Sequence, residues 1–417
     1  MVLRHIKANQ GIIRDYFSVI SGSAGRLVIS LAYFVALANT LTIAEFGLFA
    51  TASATGVMLS RLVSFGFVSP LYRVATVKPH LIGAYTGGFL AAVVLSLPFF
   101  LAAAFLAHLI FFGSSLPLAT FAVIVGAEAL LWRSLEVVVI VNNGLNRFGR
   151  AAILVVIGTA LRAIAAVLFA FSWVTSLEAW SWWYAGANGI ALLIAIIYFY
   201  PRVRLRLVPR IYNRRLADSF AVAGAEVLFY VQSELDKLLV LAIGGPQTAG
   251  VYSIIMRLVD LTALPIRSFN MMLVQKLMRT PDMLRSLTTR IGLEAGVFLV
   301  SAIGLGGLAL FLHLFPRALG GNVASVVALL PLVLLVPGFR NLLEYQAEIL
   351  YARGQSGIRA VNLAVLGVAK AGLLYLLLTR MPGVDDWLVW LNAVFAALYL
   401  LSAILTYRAI RRPARRV

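Results

Sequence analysis

The sequence predicts an all-α polytopic membrane protein, with about twelve transmembrane helices in two six-helix lobes around a central cavity. Three observations predict it. The 417-residue chain is 62% hydrophobic and only 12% charged, whereas soluble proteins are about 25% charged. Apolar stretches of about 20 residues, long enough to cross a bilayer, recur along its whole length. Cations sit inside those stretches, at Arg26, Arg61, Arg133, Arg162, Lys237, Arg257, Arg267, Arg340 and Lys370. Each costs on the order of 2.5–3.5 kcal/mol at mid-bilayer, so it belongs in a bundle interior or a watery cavity rather than in lipid. A bundle lined by cations is a route for something anionic.

The spans fall at roughly 16–38, 46–68, 83–107, 117–141, 151–174, 179–200, 217–243, 248–274, 289–315, 323–350, 358–379 and 387–407. Span 1 carries Arg26 behind four small residues, Gly22-Ser23-Ala24-Gly25, which let backbone or substrate come close. Span 2 opens on Gly47-Leu48-Phe49-Ala50 and carries Arg61 toward its far end. Span 3 holds Gly83 and Gly87, a lone GxxxG and a weak packing signal. Span 4 holds Glu128, Arg133 and Glu136, and span 5 holds Arg162. Span 6 opens on Trp180, Trp182, Trp183 and Tyr184, read as an interfacial aromatic belt. In span 7, Glu226, Tyr230, Glu234 and Lys237 share one helical face. Span 8 opens on Gly250-Val251-Tyr252-Ser253 and carries Arg257, Asp260 and Arg267. Pro265 there, and Pro337 in span 10, are expected to kink their helices. Span 9 holds Glu294, span 10 the stripe Arg340, Glu344, Glu348, and span 11 Lys370. Asp385-Asp386 caps span 12.

The connections orient the bundle. Those after odd-numbered spans contain only Arg317 and Arg380, and the remaining loop cations lie on the other side. An excess of Lys and Arg marks the cytoplasmic side, so both termini are expected inside. The start MVLRHIKANQGIIRDYF has no short apolar core followed by a cleavage site, and is read as a cytoplasmic terminus leading into span 1. The net charge of +19 therefore belongs to loops beside anionic headgroups, not to nucleic-acid binding. With no Cys, thiolate metal sites and Cys nucleophiles are excluded. The four His are scattered, without paired ligand spacing.

The basic loop Pro201–Arg215 divides the chain into equal halves, 1–207 and 208–417, with six spans each. The span 2 and span 8 openings form a faint repeat, and each leading Gly is followed at the same spacing by a basic residue, Arg73 or Lys276. Parallel repeats place a transporter's substrate site at the repeat interface.

Neighbour spacing sorts the buried charges, because residues three or four apart share a helix face. Arg133 can meet Glu136, Lys237 Glu234, Arg257 Asp260, and Arg340 Glu344. Arg26, Arg61, Arg162, Arg267 and Lys370 have no such carboxylate and need a partner on another helix, water, a lipid headgroup or a substrate. The planar fork of Arg suits phosphate. Arg61 and Arg267, near the cytoplasmic ends of their helices, either receive an anion at the inner leaflet or snorkel. The candidate substrate-binding residues are Arg26, Arg61, Arg257 and Arg267. Carboxylates inside a bundle can carry protons or bind Na⁺, which makes Glu226, Glu234, Asp236 and Asp260 the ion-coupling candidates.

The stretch Thr42-Ile43-Ala44-Glu45-Phe46-Gly47-Leu48-Phe49, with Phe65-Gly66-Phe67 after it, resembles the second helix of Wzx-type polysaccharide flippases. Asp236-Lys237-Leu238-Leu239, Gly250-Val251-Tyr252-Ser253 and Leu264-Pro265 resemble their helices 7 and 8. The motifs are short and point to the multidrug/oligosaccharidyl-lipid/polysaccharide exporter superfamily more firmly than to one member. The resemblance implies a flippase, not an enzyme, that moves an undecaprenyl-diphosphate-linked oligosaccharide across the bacterial inner membrane by alternating access. It also implies that Arg26, Arg61 and Arg257 are cavity arginines, by analogy of helix and depth with lipid II flippases. The expected partners are that glycolipid, membrane lipids and polysaccharide assembly proteins, with no nucleic acid, and the chain is expected to act as a monomer. No cofactor is expected; a proton or sodium gradient is the candidate drive. The alternatives are a lipid II flippase, a multidrug antiporter, or, from another class, a membrane polysaccharide polymerase or lipid-dependent glycosyltransferase. The short outer loops oppose the enzymes, and the unpaired arginines oppose cationic drugs.

Overall fold

The computed structural model describes residues 25, 27–213, 215–279, 284, 286–381 and 383–411. Among them every regular element is helical. In chain order these are α1 (Leu27–Thr40), α2 (Ile43–Leu59), α3 (Val68–Val77), α4 (Ile82–Ala107), α5 (Leu118–Gly126), α6 (Arg133–Gly144), α7 (Phe148–Ala170) and α8 (Leu177–Ile194). They continue with α9 (Pro209–Asn213), α10 (Leu216–Arg279), α11 (Leu287–Leu314), α12 (Gly321–Val327), α13 (Val336–Ala352), α14 (Ser356–Arg380) and α15 (Val384–Ile410).

These helices make twelve rods. By length and hydropathy, seven helices are able to cross a membrane, or eight with the bent pair α12–α13. One of the seven, within α10, is a hairpin. Gly245 has φ 76°, and the Tyr252 hydroxyl reaches Asp236 Oδ2 at 2.5 Å. In a straight helix those sixteen residues would span about 24 Å, so the chain doubles back at Gly245. The two arms are residues 216–244 and 246–279, predicted spans 7 and 8. The remaining rods are α1, α2 with α3, and α5 with α6. The last two helices are joined through a π-helical turn, Ala127–Trp132.

Proline and glycine set the bends. Helical dihedrals run through Pro265, so the kink expected there is not a backbone break. The span expected to kink at Pro337 bends instead by 61° between Val327 and Leu330, beside Pro331. Pro331 and Pro337 fall in the first turns of the segments after that bend, where a missing N–H is tolerated. Predicted span 2 is broken: Ser64, Phe65 and Gly66 have φ of 63°, 45° and 73°. Only Gly adopts that region without strain. The break also lets Gly66 press on the Ser219 carbonyl and Ala223. At the other end of α2, Thr42 and Glu45 form a reciprocal capping box.

The repeat is visible in the packing. Gly47 and Gly250, the leading glycines of the two repeated openings, meet backbone to backbone, and a Cβ on Gly250 would overlap the Ile43 carbonyl. Equivalent residues touch in this way on a two-fold axis. Beside them Asn322 Nδ2 donates to the Ala38 and Leu41 carbonyls, each at 2.8 Å. Neither backbone can yield, so Gly250→Val is expected to overpack the contact by about 1–3 kcal/mol. Thermal melting of the purified protein should show this, while Gly307→Ala, with open space around its Cβ position, should melt as wild type.

Two further sequence readings change. Trp180 and Tyr184 are fully buried, and only Trp182 and Trp183 of that cluster face outward. An aromatic belt therefore describes half of it. Gly83 and Gly87 do not pack helix on helix. They accept the extended linker between the two halves, whose Arg204 and Arg206 carbonyls lie over them. Arg206 N–H donates to the Gly83 carbonyl at 3.3 Å, and Tyr212 Oη donates to the Ala84 carbonyl at 3.0 Å.

Candidate functional site

A cavity of about 390 Å³ lies between the first half, residues 27–199, and the second, residues 216–410. Helix α2 gives its depth. Gly47 makes the inter-half contact at one end. Phe46, Phe49, Ala50, Ser53, Ala54 and Val57 then line the cavity. One turn further, Arg61 closes the other end, toward the basic connections. The α10 hairpin repeats this order, with Gly250 at the contact, Ser253, Met256, Arg257, Asp260, Glu234 and Lys237 on the lining, and Glu226 beside Arg61.

The basic end is an ionic cluster across the halves. Arg61 Nη1 lies 3.3 Å from Glu136 Oε2 and 3.9 Å from Glu226 Oε2. Arg133 reaches the same two oxygens at 2.9 and 3.0 Å. The Arg61 guanidinium also lies over the Tyr230 ring at 4.1 Å, where the ring quadrupole attracts it. Two arginines and two carboxylates balance. Arg61 is therefore held by protein anions beyond the lining of the cavity.

Inside the cavity most charges are also paired. Arg162 Nη2 binds Glu128 Oε2 at 3.1 Å, Lys237 binds Glu234, and Arg340 reaches from α13 to Asp260 at 3.1 Å. The Arg257–Asp260 and Arg340–Glu344 pairs suggested by spacing do not form. Asp260 turns to another helix, and Glu344 pairs with Arg267 at 3.3 Å. The lining cation Arg257 has no carboxylate within 4 Å among the described residues; its Nη2 bonds only the Ser30 hydroxyl.

The other sequence candidates are dispersed. Arg26 lies outside the described residues. Arg267 is half-exposed and away from the cavity lining. Glu226 belongs to the ionic cluster, whereas Glu234 and Asp260 line the cavity. Asp236 points the other way and is buried beside Lys370 of α14 at 3.2 Å. Lys370 also donates to the Gln232 carbonyl at 3.0 Å. This network ties both arms of α10 to α14. Among the described residues no three His, Cys, Asp or Glu converge on one point.

Glu128 and Arg162 were not among the sequence candidates, and they dominate the first-half wall. Glu128 sits on the π-helical turn and also accepts from Ser53 Oγ at 2.7 Å and from the Tyr184 hydroxyl. Arg162 donates from Nε to Asn188 Oδ1 at 2.8 Å, and lies 3.7 Å over the Trp132 ring and 4.9 Å over that of Tyr184. Their signal was present: two buried charges of opposite sign, on adjacent antiparallel spans, neither with an own-helix partner.

The arrangement of rods, hairpin and central cavity matches solved structures over nearly the whole chain. An inward-facing multidrug resistance MATE family transporter of the MOP superfamily aligns with TM-score 0.63 and 13% identity, over 93% of this chain and 98% of its own. A MATE structure in complex with MaL6 aligns at 0.61 and 11%, over 94% and 93%. The chain has the MATE transporter fold. A MOP superfamily transporter from Pyrococcus furiosus, described as having a binding pocket of reversed polarity that suggests a different function, aligns at 0.56 and 12%, over 94% of each chain. The sequence matches no protein-family model and no curated protein. Within the MATE fold of this chain, the cavity lies where the two six-rod halves face each other.

Proposed function

We propose that this protein is an alternating-access transporter of an anionic amphiphile, an undecaprenyl-diphosphate-linked oligosaccharide, moved outward across the bacterial inner membrane. Arg257 carries this reading. It lines the cavity, its lobe-crossing bond goes to a neutral hydroxyl, and it has a planar fork suited to phosphate. The diphosphate binds there from the inner leaflet while the prenyl chain stays in lipid. The halves then rock, closing the basic end and parting at the Gly47–Gly250 contact. A proton or sodium gradient drives the return through cavity carboxylates, with Glu234 and Asp260 the lining candidates.

The second reading is export of cationic drugs, and one observation favours it: Glu128, Glu234 and Asp260 all line the cavity. Each of them, however, already holds a cation. The test is expression in a strain lacking its own polysaccharide flippase, with surface polysaccharide and efflux of a cationic dye measured together. Restored polysaccharide with unchanged dye efflux is expected. Dye efflux without polysaccharide would replace this reading with the second.

A further inference from the structure

The first-half wall carries an arginine that the proposed function does not use. Arg162 lines the same cavity as Arg257, from the opposite half. Its described bonds engage Nε and Nη2, toward Asn188 and Glu128, and leave Nη1 without a protein partner among the described residues. Stacking on Trp132 and Tyr184 fixes the plane of the guanidinium. A fixed plane with one nitrogen left over is a preorganised anion donor.

Glu128 is the reason this donor tolerates an empty cavity. An unpaired cation in a low-dielectric site is costly, and a carboxylate removes that cost. Glu128 is itself held by two neutral donors, Ser53 and Tyr184. It therefore keeps hydrogen bonds when Arg162 takes another anion at Nη1. We propose that Arg162 and Arg257 grip one phosphate-type anion from the two halves, and that Glu128 is the internal counterion that stands in for that anion on Arg162 when the cavity is empty. The ligand is thereby a bridge between the halves, and Glu128 sets how tightly it is held. This rests on the anion reading of the cavity and adds to it the second contact and the residue that tunes affinity.

The sign of two substitutions separates this role from a structural one. Glu128→Gln removes the competing anion, so Arg162 should bind a ligand anion more tightly. Tyr184→Phe removes a neutral donor from Glu128, which then leans harder on Arg162, so ligand affinity should fall. A merely structural network would weaken binding in both. The experiment is calorimetric titration of inorganic pyrophosphate into the full-length protein in lipid nanodiscs. Wild type should bind. Arg257→Ala and Arg162→Ala should each weaken binding about tenfold or more, the equivalent of one charge-assisted hydrogen bond. Glu128→Gln should tighten it several-fold, and Tyr184→Phe should loosen it. Melting curves identify any variant that fails to fold, and Tyr184→Phe, which deletes one oxygen, keeps the test open if Glu128→Gln does. Loss of binding in Arg257→Ala, with Glu128→Gln unchanged or weaker, would overturn the role of Glu128 and leave the anion reading standing. Full affinity in a folded Arg162→Ala would overturn the second contact. No pyrophosphate binding by wild type would overturn the anion reading itself.

Discussion

Replacing Arg257 with alanine is expected to abolish export while leaving normal amounts of folded protein in the membrane. The pairing pattern is the reason. Removing one member of a buried ion pair strands the other charge and costs about 3–5 kcal/mol. Arg162, Lys237 and Arg340 each hold a carboxylate, so truncating any of them confounds function with folding. Arg257 strands only the Ser30 hydroxyl, worth about 0.5–1.5 kcal/mol. Its loss therefore removes the proposed ligand contact at little structural cost. Arg257→Lys should also be impaired, because Lys keeps the charge and loses the fork. Arg340→Ala is the contrasting control, expected to lower protein level by orphaning Asp260. Surface polysaccharide and membrane protein level, measured in one strain lacking its own flippase, check all three. Full export by well-expressed Arg257→Ala would remove the site on which the proposed substrate rests.

The sequence showed the rods better than the site, for a physical reason. A span is a one-dimensional property, and twenty apolar residues announce it wherever it packs. The same holds for the paired Gly47 and Gly250, whose spacing in the chain exposed the repeat. Pairing across helices is not one-dimensional. Arg133–Glu136 and Lys237–Glu234 were legible because three residues bring them to one face. Arg257–Asp260 has the same spacing and does not form, because Arg340 reaches Asp260 from α13. Asp236 was an ion-coupling candidate beside the stripe of span 7, but it points away from the cavity and meets Lys370 instead. Local spacing states which pair is possible, and the tertiary partner decides which pair exists. The break at Ser64–Gly66 was hidden for a related reason. Hydropathy runs unchanged through Val63–Val68, and only Gly66 marks the left-handed turn.

The ionic cluster at the basic end is expected to behave as a latch. Arg133 and Arg61 of the first half share Glu226 of the second, so the basic end cannot open without breaking those bonds. Glu226→Gln leaves two arginines facing Glu136 alone, which favours separation. Glu226 has 39% of its side chain exposed, so the pair is worth about 1–3 kcal/mol, between the exposed and buried cases. That corresponds to a shift of roughly 5- to 150-fold toward the open basic end. The chain has no cysteine, so introduced pairs report without background. Phe65 and Phe220 face each other across the halves beside the latch, with ring centroids 5.0 Å apart. A Phe65→Cys, Phe220→Cys protein should cross-link readily on oxidation, and the added disulfide should block export until it is reduced. In the Glu226→Gln background the cross-linked fraction should fall and export should slow. Exchanging the charges, Arg133→Glu with Glu226→Arg, places each charge opposite its new partner and should recover part of both, whereas either reversal alone should recover neither. Equal cross-linking with and without Glu226→Gln would mean the halves are held at this end by the Gly66–Ser219 contact, with the ions contributing nothing.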